Sequence, residues 1–288
     1  MLGAALVTSA LVLGVFAIVK AQSYGWGSVR TLALGGVAIG LLAAFVGWER
    51  RTANPMLPLR IFRSRNVSGA NFVQMLFVAG MFGMFFLGSL YMQRVLGYSA
   101  LQIGLAFLPV AVLIGVFSLG GAPRLIVRFG TRTTLLPGLA LTAAGLALFT
   151  RAPVGAEYAG DVLPSMVLIG LGAGLSFPAL MTAAMSSADP TDAGIVSGLV
   201  NTTQQVGGAL GLAVLATLAS THTSGLLHKG KSNAAALTDG YHLAWAIGTA
   251  LLIAAILVAV TVLRPVAVPA APSAAEAELG DNLATEAA

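Results

Sequence analysis

The sequence predicts an all-α integral membrane protein, and three observations carry that prediction. Hydrophobic residues make up 57% of the 288-residue chain and charged residues only 9%, against roughly a quarter charged in an ordinary soluble domain. The apolar residues gather into repeated runs of about 20, the length a helix needs to cross a hydrocarbon core about 30 Å thick. No ten-residue segments of alternating hydrophobicity point to a membrane barrel. Lipid is therefore the expected solvent for most of the chain, and the bilayer its first partner.

Eight spans follow along the chain. Leu2–Val19 lacks the basic leader of a secretory signal and reads as a retained helix. Met1 runs almost directly into it, as in a chain that begins partway through a longer protein. Thr31–Trp48 is fenced by Arg30 on one side and by Glu49, Arg50 and Arg51 on the other. Val67–Tyr91 is crowded with Phe and Met. Such flat rings and pliable thioethers can receive varied lipophilic ligands, although they are also ordinary core and lipid-facing residues. Gln74 in this span and Gln93 just after it are expected to face inward.

Leu101–Ala122 holds Pro109. Thr134–Thr150 comes next, and then Val162–Ser187 with "GLGAGLSFPAL", where Gly170 and Gly174 stand at GxxxG spacing ahead of Pro178. A proline here frees a backbone carbonyl and bends the helix, which serves either packing or a hinge. Gly194–Ser220 and Tyr241–Leu263 complete the set. Residues 265–288 are rich in Ala, Pro and acids, without a periodic apolar face, and are expected to form a disordered cytoplasmic tail.

The seventh span poses a question, because Asn201, Thr202, Thr203, Gln204 and Gln205 interrupt it with five consecutive polar residues. On a helix, Ser197, Asn201, Gln204, Gly208 and Gly211 fall on one face. An amide facing lipid would leave its donors and acceptor unpaired at a cost of several kcal/mol, so this stripe is expected to face protein or water. Gly194–Gly198 and Gly207–Gly211 repeat the GxxxG spacing beside it and invite a close helix neighbour. Two roles stay open for Asn201 and Gln204: polar glue between helices, or hydrogen-bonding groups on the wall of a water-filled path.

Charge fixes an expected orientation. Nine Lys and Arg residues fall in one set of loops (Arg50, Arg51, Arg60, Arg63, Arg65, Arg124, Arg128, Arg132 and Arg264) and six in the other. By the positive-inside rule both termini are cytoplasmic. The same reading accounts for the net charge of +5 without a nucleic-acid partner. With no cysteine, disulfides, thiolate metal sites and thiol nucleophiles are excluded. No Ser/His, HExxH or paired-carboxylate arrangement lies within a span, so neither an enzyme nor a cofactor or metal site is expected. A faint repeat joins "YSALQIGLAF" to "PTDAGIVSGL", each placing a capping residue ahead of a Gly-bearing helix. It would suit two inverted three-helix units, with Asp192 as a helix N-cap.

Four segments in this order, "YGWGS", "ERRTANPMLPLRIFRSRN", "YMQRVLGYSALQIGLAFLP" and "SGLVNTTQQVGGALG", resemble the 14-helix drug:proton antiporters of the major facilitator superfamily, the EmrB/QacA type. "RLIVRFGTR" is similar to that superfamily's cytoplasmic loop signature, with Arg128, Gly130 and Arg132 matching and Val127 where an aspartate usually stands. The resemblance implies two linking transmembrane helices and a basic loop in residues 1–66. It further implies a six-helix carboxy-terminal domain in residues 67–264, with a six-helix amino-terminal half missing. It also implies proton-coupled efflux of lipophilic or cationic small molecules. No acid lies deep within a span, so the proton-coupling groups are expected in the missing half. The chain alone is then inactive. The alternative is a non-transporting membrane fragment or a partner-binding subunit.

Overall fold

The computed structural model describes residues 2–25, 27–52, 59–186 and 192–264. The expected tail at 265–288 lies outside them, as do Asp189 and the segment 53–58. Helices account for nearly all of the rest: α1 (Leu2–Tyr24), α2 (Val29–Arg51), α3 (Arg65–Arg94), α4 (Ala100–Val116), α5 (Ala122–Phe129), α6 (Thr131–Phe149), α7 (Leu163–Met185), α8 (Ala193–His228) and α9 (Asn233–Val262). A π-helical turn, Phe117–Gly121, joins α4 to α5 in one rod, and another, Tyr158–Val162, opens α7. Among the described residues, eight rods are long and apolar enough to cross a membrane. The protein is an all-α, multi-span membrane protein.

Helix starts are set by hydroxyl caps. Ser64 accepts from the Val67 amide at 3.3 Å. Ser99 and Gln102 form a reciprocal capping box, with the Ser99 amide donating to Gln102 Oε1 at 2.8 Å. Such boxes satisfy two of the amides that a helix start leaves without partners. Asp192 departs from expectation. It occupies the N-cap position of α8 but makes no capping bond; its carboxylate instead pairs with Arg60 at 2.9 Å. Its backbone explains why, since ψ of −3° is not the extended conformation that turns a cap side chain toward the first amides.

Two span ends also differ from the hydropathy reading. α8 continues past Ser220 to His228, and α9 begins at Asn233 instead of Tyr241. Polar residues end an apolar run but do not end a helix. What stops α8 is Gly230, whose φ of +80° lets its amide reach Leu227 O and the Lys231 amide reach Leu226 O, a Schellman closure. The expected basic loop at 124–132 is likewise mostly helix. Arg128 ends α5, Arg132 begins α6, and only Gly130, at φ +86°, breaks them apart.

The bundle centres on α3, which packs on α7, α8 and α9, while α7 packs on α3, α4 and α6, and α6 meets α9. Exchanging α3 with α7, α4 with α8 and α6 with α9 maps most of these neighbours onto one another. Two crossings, the α4–α5 rod and α6, lie between α3 and α7, so α3 and α7 run in opposite directions, the arrangement of inverted three-helix units. Glycines set the closest approaches. A Cβ at Gly170 would lie 2.9 Å from Leu113 Cβ, and one at Gly174 2.7 Å from Phe117 Cβ, so α7 lies directly on the α4 rod. At Gly138 it would lie 2.9 Å from Gly172 O, which brings α6 and α7 backbone to backbone. α1 packs on α2 and on α8; α2 leans chiefly on α1.

Candidate functional site

The polar residues of α8 meet those of α3 along one seam. Val196, Val200, Gln204, Gly207, Gly211 and Leu215 advance by three or four residues at a time, which keeps them on one helix face. A Cβ at Gly207 would lie 3.0 Å from Met75 Cα, and one at Gly211 would overlap Ala79. The absent side chains let α3 and α8 touch along this seam, and the polar contacts follow from that closeness. Gln74 Nε2 donates to Gln204 Oε1 at 3.4 Å, and Thr203 Oγ1 donates to Asn71 Oδ1 at 2.9 Å. Asn71 also donates from Nδ2 to Val67 O at 2.8 Å, so its amide is used at both ends.

Gln74 is 2% exposed, and its Oε1 is buried without a hydrogen-bond partner. A carboxamide oxygen buried without a protein partner costs on the order of 1–3 kcal/mol. Such a group has acceptor capacity for a donor that arrives with a ligand or a water.

Other expected site residues lie elsewhere. Asn201 is exposed and donates back to Ser197 O of its own helix at 3.2 Å, so within this chain it is not glue between helices. It stands one position off the contact seam, where period alone could not separate it from Gly208. Gly208 does lie against a neighbour, 3.0 Å from the Phe82 ring for an added Cβ. Gly194 and Gly198 are exposed with open space beside them, so that GxxxG pair meets no neighbour among the described residues. Gln93 does not face inward; it is exposed in the last turn of α3, where the helix leaves its neighbours. The open face of α8 continues through Gln205 into an apolar cleft of about 520 Å³ bounded by Leu11, Val15 and Val19 of α1.

The prolines sit in α4 and α7. Pro178 cannot donate to Gly174 O, and Ser118 Oγ, in the π-helical turn after α4, donates to that carbonyl at 3.2 Å. Thus Pro178 frees an acceptor, Gly174 gives access to it, and the facing rod supplies the donor. Pro109 lies inside α4 near Ala106, whose carbonyl accepts from Tyr158 OH at 2.9 Å. Arg132 donates to Val260 O of α9, and Arg128 lies over the Phe129 ring at 5.2 Å.

Sequence reasoning passed over Asn71 and Thr203, the other half of the α3–α8 polar seam. Asn71 stands three residues before Gln74, and that spacing was the available signal. It also passed over an aromatic cluster at the far ends of α3, α6 and α9. Trp245 lies edge-on to Phe149 at 4.6 Å and to Tyr91 at 5.5 Å, and Tyr91 OH donates to Pro153 O.

Among the described residues every acid lies at a rod end or in a loop. Glu49 is in the last turns of α2, Glu157 and Asp161 flank the start of α7, Asp192 begins α8, and Asp239 lies near the start of α9. Asp192 pairs with Arg60 and Asp239 with Lys231.

Comparison with known proteins gives this helical arrangement a family. Residues 1–212 match the model of the Major Facilitator Superfamily. The puromycin resistance protein pur8 of Streptomyces alboniger is 38% identical over 255 residues, 85% of this chain and 50% of that protein. The cephamycin export protein CmcT of Amycolatopsis lactamdurans is 38% identical over 224 residues, 77% of this chain and 46% of that protein. The multidrug resistance protein Stp of Mycobacterium tuberculosis is 30% identical over 216 residues, covering 74% and 39%. The chain spans half or less of the length of these relatives. With its membrane-length helices, its paired three-helix units and a family match over most of its length, the chain belongs to the major facilitator superfamily.

Proposed function

We propose that this chain is the carboxy-terminal part of a proton-coupled multidrug exporter for lipophilic or cationic small molecules, with the α3–α8 seam on its substrate path. The observation that carries this reading is the Gln74–Gln204 pair, in which Gln74 is buried and its Oε1 has acceptor capacity to spare. Intramembrane polar groups that are not fully used are found disproportionately at transport paths. The export and resistance roles in the names of the relatives point the same way. Beside the pair, α3 exposes Phe72, Met75, Phe82 and Phe86, rings and a thioether that adapt to varied lipophilic shapes.

α1 and α2 are the linking pair, α3–α9 are one half of the transporter, and both termini are cytoplasmic. Proton coupling belongs to acids of the amino-terminal half, because the described residues of this chain hold none deep in the bundle. Alternating access rocks one half against the other, so the chain alone does not transport. The face of α8 that carries Gly194, Gly198 and Asn201 is where the other half meets it.

Ethidium retention in an efflux-deficient bacterial host tests this. The chain alone should leave retention unchanged. Co-expression with its cognate amino-terminal half should lower retention, and a protonophore should restore it. Gln74→Leu in the paired system should cut efflux about tenfold with accumulation unchanged. Protonophore-sensitive export by the 288-residue chain alone would overturn the half-transporter reading.

A further inference from the structure

Three arginines meet where α3 begins and α9 ends. Arg63, Arg65 and Arg264, together with Ser64 and Asn66, line a pocket of about 330 Å³. All three arginines are exposed, and among the described residues none is in an ion pair. Arg60 nearby is engaged with Asp192, and among the described residues no acid pairs with Arg63, Arg65 or Arg264. The pocket floor is rigidly built. Asn66, 6% exposed, accepts the Arg264 amide on Oδ1 at 2.9 Å, and Gly69 lies so close under Val262 and Leu263 that an added Cβ would come within 2.8 Å. The end of α9 is thereby fixed on α3, which holds Arg264 beside Arg63 and Arg65.

The surroundings identify what kind of anion fits. Ile253, Leu257 and Val260 are exposed on α9 at steps of four and three, which puts them on one face, and Arg264 follows two residues beyond the helix end at Val262. An apolar stripe of about 10 Å, enough for the upper part of an acyl chain, thus runs along α9 toward the helix end where the three cations meet. Phe62 adds an exposed ring next to Arg63. A soluble anion would use the cations and leave the stripe idle, whereas a lipid with a phosphate headgroup uses both.

We propose that Arg63, Arg65 and Arg264 form a binding site for the phosphate headgroup of an anionic phospholipid, its acyl chain lying along Ile253, Leu257 and Val260. Guanidinium forks match phosphate oxygens in pairs, and basic pockets between membrane helices recognise such headgroups. The site is separate from the α3–α8 seam and does not depend on the export reading.

The 288-residue chain, purified in detergent and titrated with phosphatidylglycerol or phosphatidylcholine, tests this by native mass spectrometry of retained lipid. Phosphatidylglycerol should bind about tenfold tighter. The triple variant Arg63→Gln/Arg65→Gln/Arg264→Gln should erase the preference, and the corresponding triple Arg→Lys variant should keep most of it. If the glutamine triple fails to accumulate, each single Arg→Gln change should still lose part of the preference. Lys229→Gln/Lys231→Gln, at the opposite membrane surface, should leave it intact. Equal binding of the two lipids to the unaltered chain would overturn the site, as would loss of the preference in the lysine-loop variant. Displacement of phosphatidylglycerol by inorganic phosphate at equal concentration would identify a soluble anion as the ligand and overturn the lipid assignment.

Discussion

Gln74 and Gln204 share one hydrogen bond at 3.4 Å, near the long limit for such contacts, while Thr203 and Asn71 share one at 2.9 Å. Interhelical hydrogen bonds in membranes average about 0.6 kcal/mol, so neither pair dominates stability. The expected signature is coupling. Unfolding in detergent of Gln74→Leu, Gln204→Leu and the double variant should be non-additive, the double variant departing from the sum of the single changes by about 0.6 kcal/mol. Strict additivity would mean that the two amides do not interact. Of the five consecutive polar residues in α8, the sequence singled out Asn201 and Gln204; of those two only Gln204 reaches another helix, and Thr203, not singled out, reaches α3 as well. A stripe read by helical period has an uncertainty of one residue around the axis. One residue is 100° of rotation, enough to carry Asn201 from the seam to the open face. Gln93 failed for another reason: a polar side chain next to Arg94 at a helix end can reach water without facing inward.

At the scale of a helix pair, glycine spacing had two meanings that the sequence could not separate. Gly207 and Gly211 lie against Met75 and Ala79 of α3, whereas Gly194 and Gly198 face open space. Gly→Ala changes should therefore have opposite signs. Gly211→Ala should lower the melting temperature of the purified chain, because its Cβ overlaps Ala79. Gly198→Ala should leave it unchanged or raise it, since alanine is favoured over glycine in a helix by up to about 1 kcal/mol. When the amino-terminal half is present, Gly198→Ala should become harmful if that half covers the face. Pro178 offers a companion test. Ser118→Ala removes the donor to Gly174 O and should destabilise by about 1 kcal/mol, while Ser118→Ala with Pro178→Ala should recover most of it as the helix bond re-forms. Pro178 was legible as a bend; the hydroxyl across the interface was not, because nothing in a linear sequence aligns residue 118 with residue 174.

Across the whole molecule, hydropathy located all eight spans, because lipid imposes the same length on each of them. It missed where the helices stop, since capping and not polarity ends a helix, as Gly130 and Gly230 illustrate. It was silent on neighbours. That α3 is central, and that α1 rests on α8, arises from side-chain fit between distant segments. Orientation has a direct test in this cysteine-free chain. Single cysteines near Arg63, Arg128 and Lys229, probed in intact cells with an impermeant thiol reagent, should label only near Lys229. Labelling near Arg128 would invert the topology.

The sparse packing of α2 bears on how the chain enters the membrane during synthesis. α2 leans chiefly on α1, and α1 and α2 are both more apolar than α6 or α8. Each can partition from the translocation channel into lipid on its own hydrophobicity. α8 cannot do so as readily, with its five consecutive polar residues. It should wait at the channel until α9 has been synthesised or α3 is at hand to receive Thr203 and Gln204. In a glycosylation-based insertion assay, α1 and α2 presented singly should insert efficiently. α8 presented singly should insert poorly and improve when α9 follows it through the Gly230 turn, so that the closure at Gly230 makes this helical hairpin the unit of delivery to the bilayer.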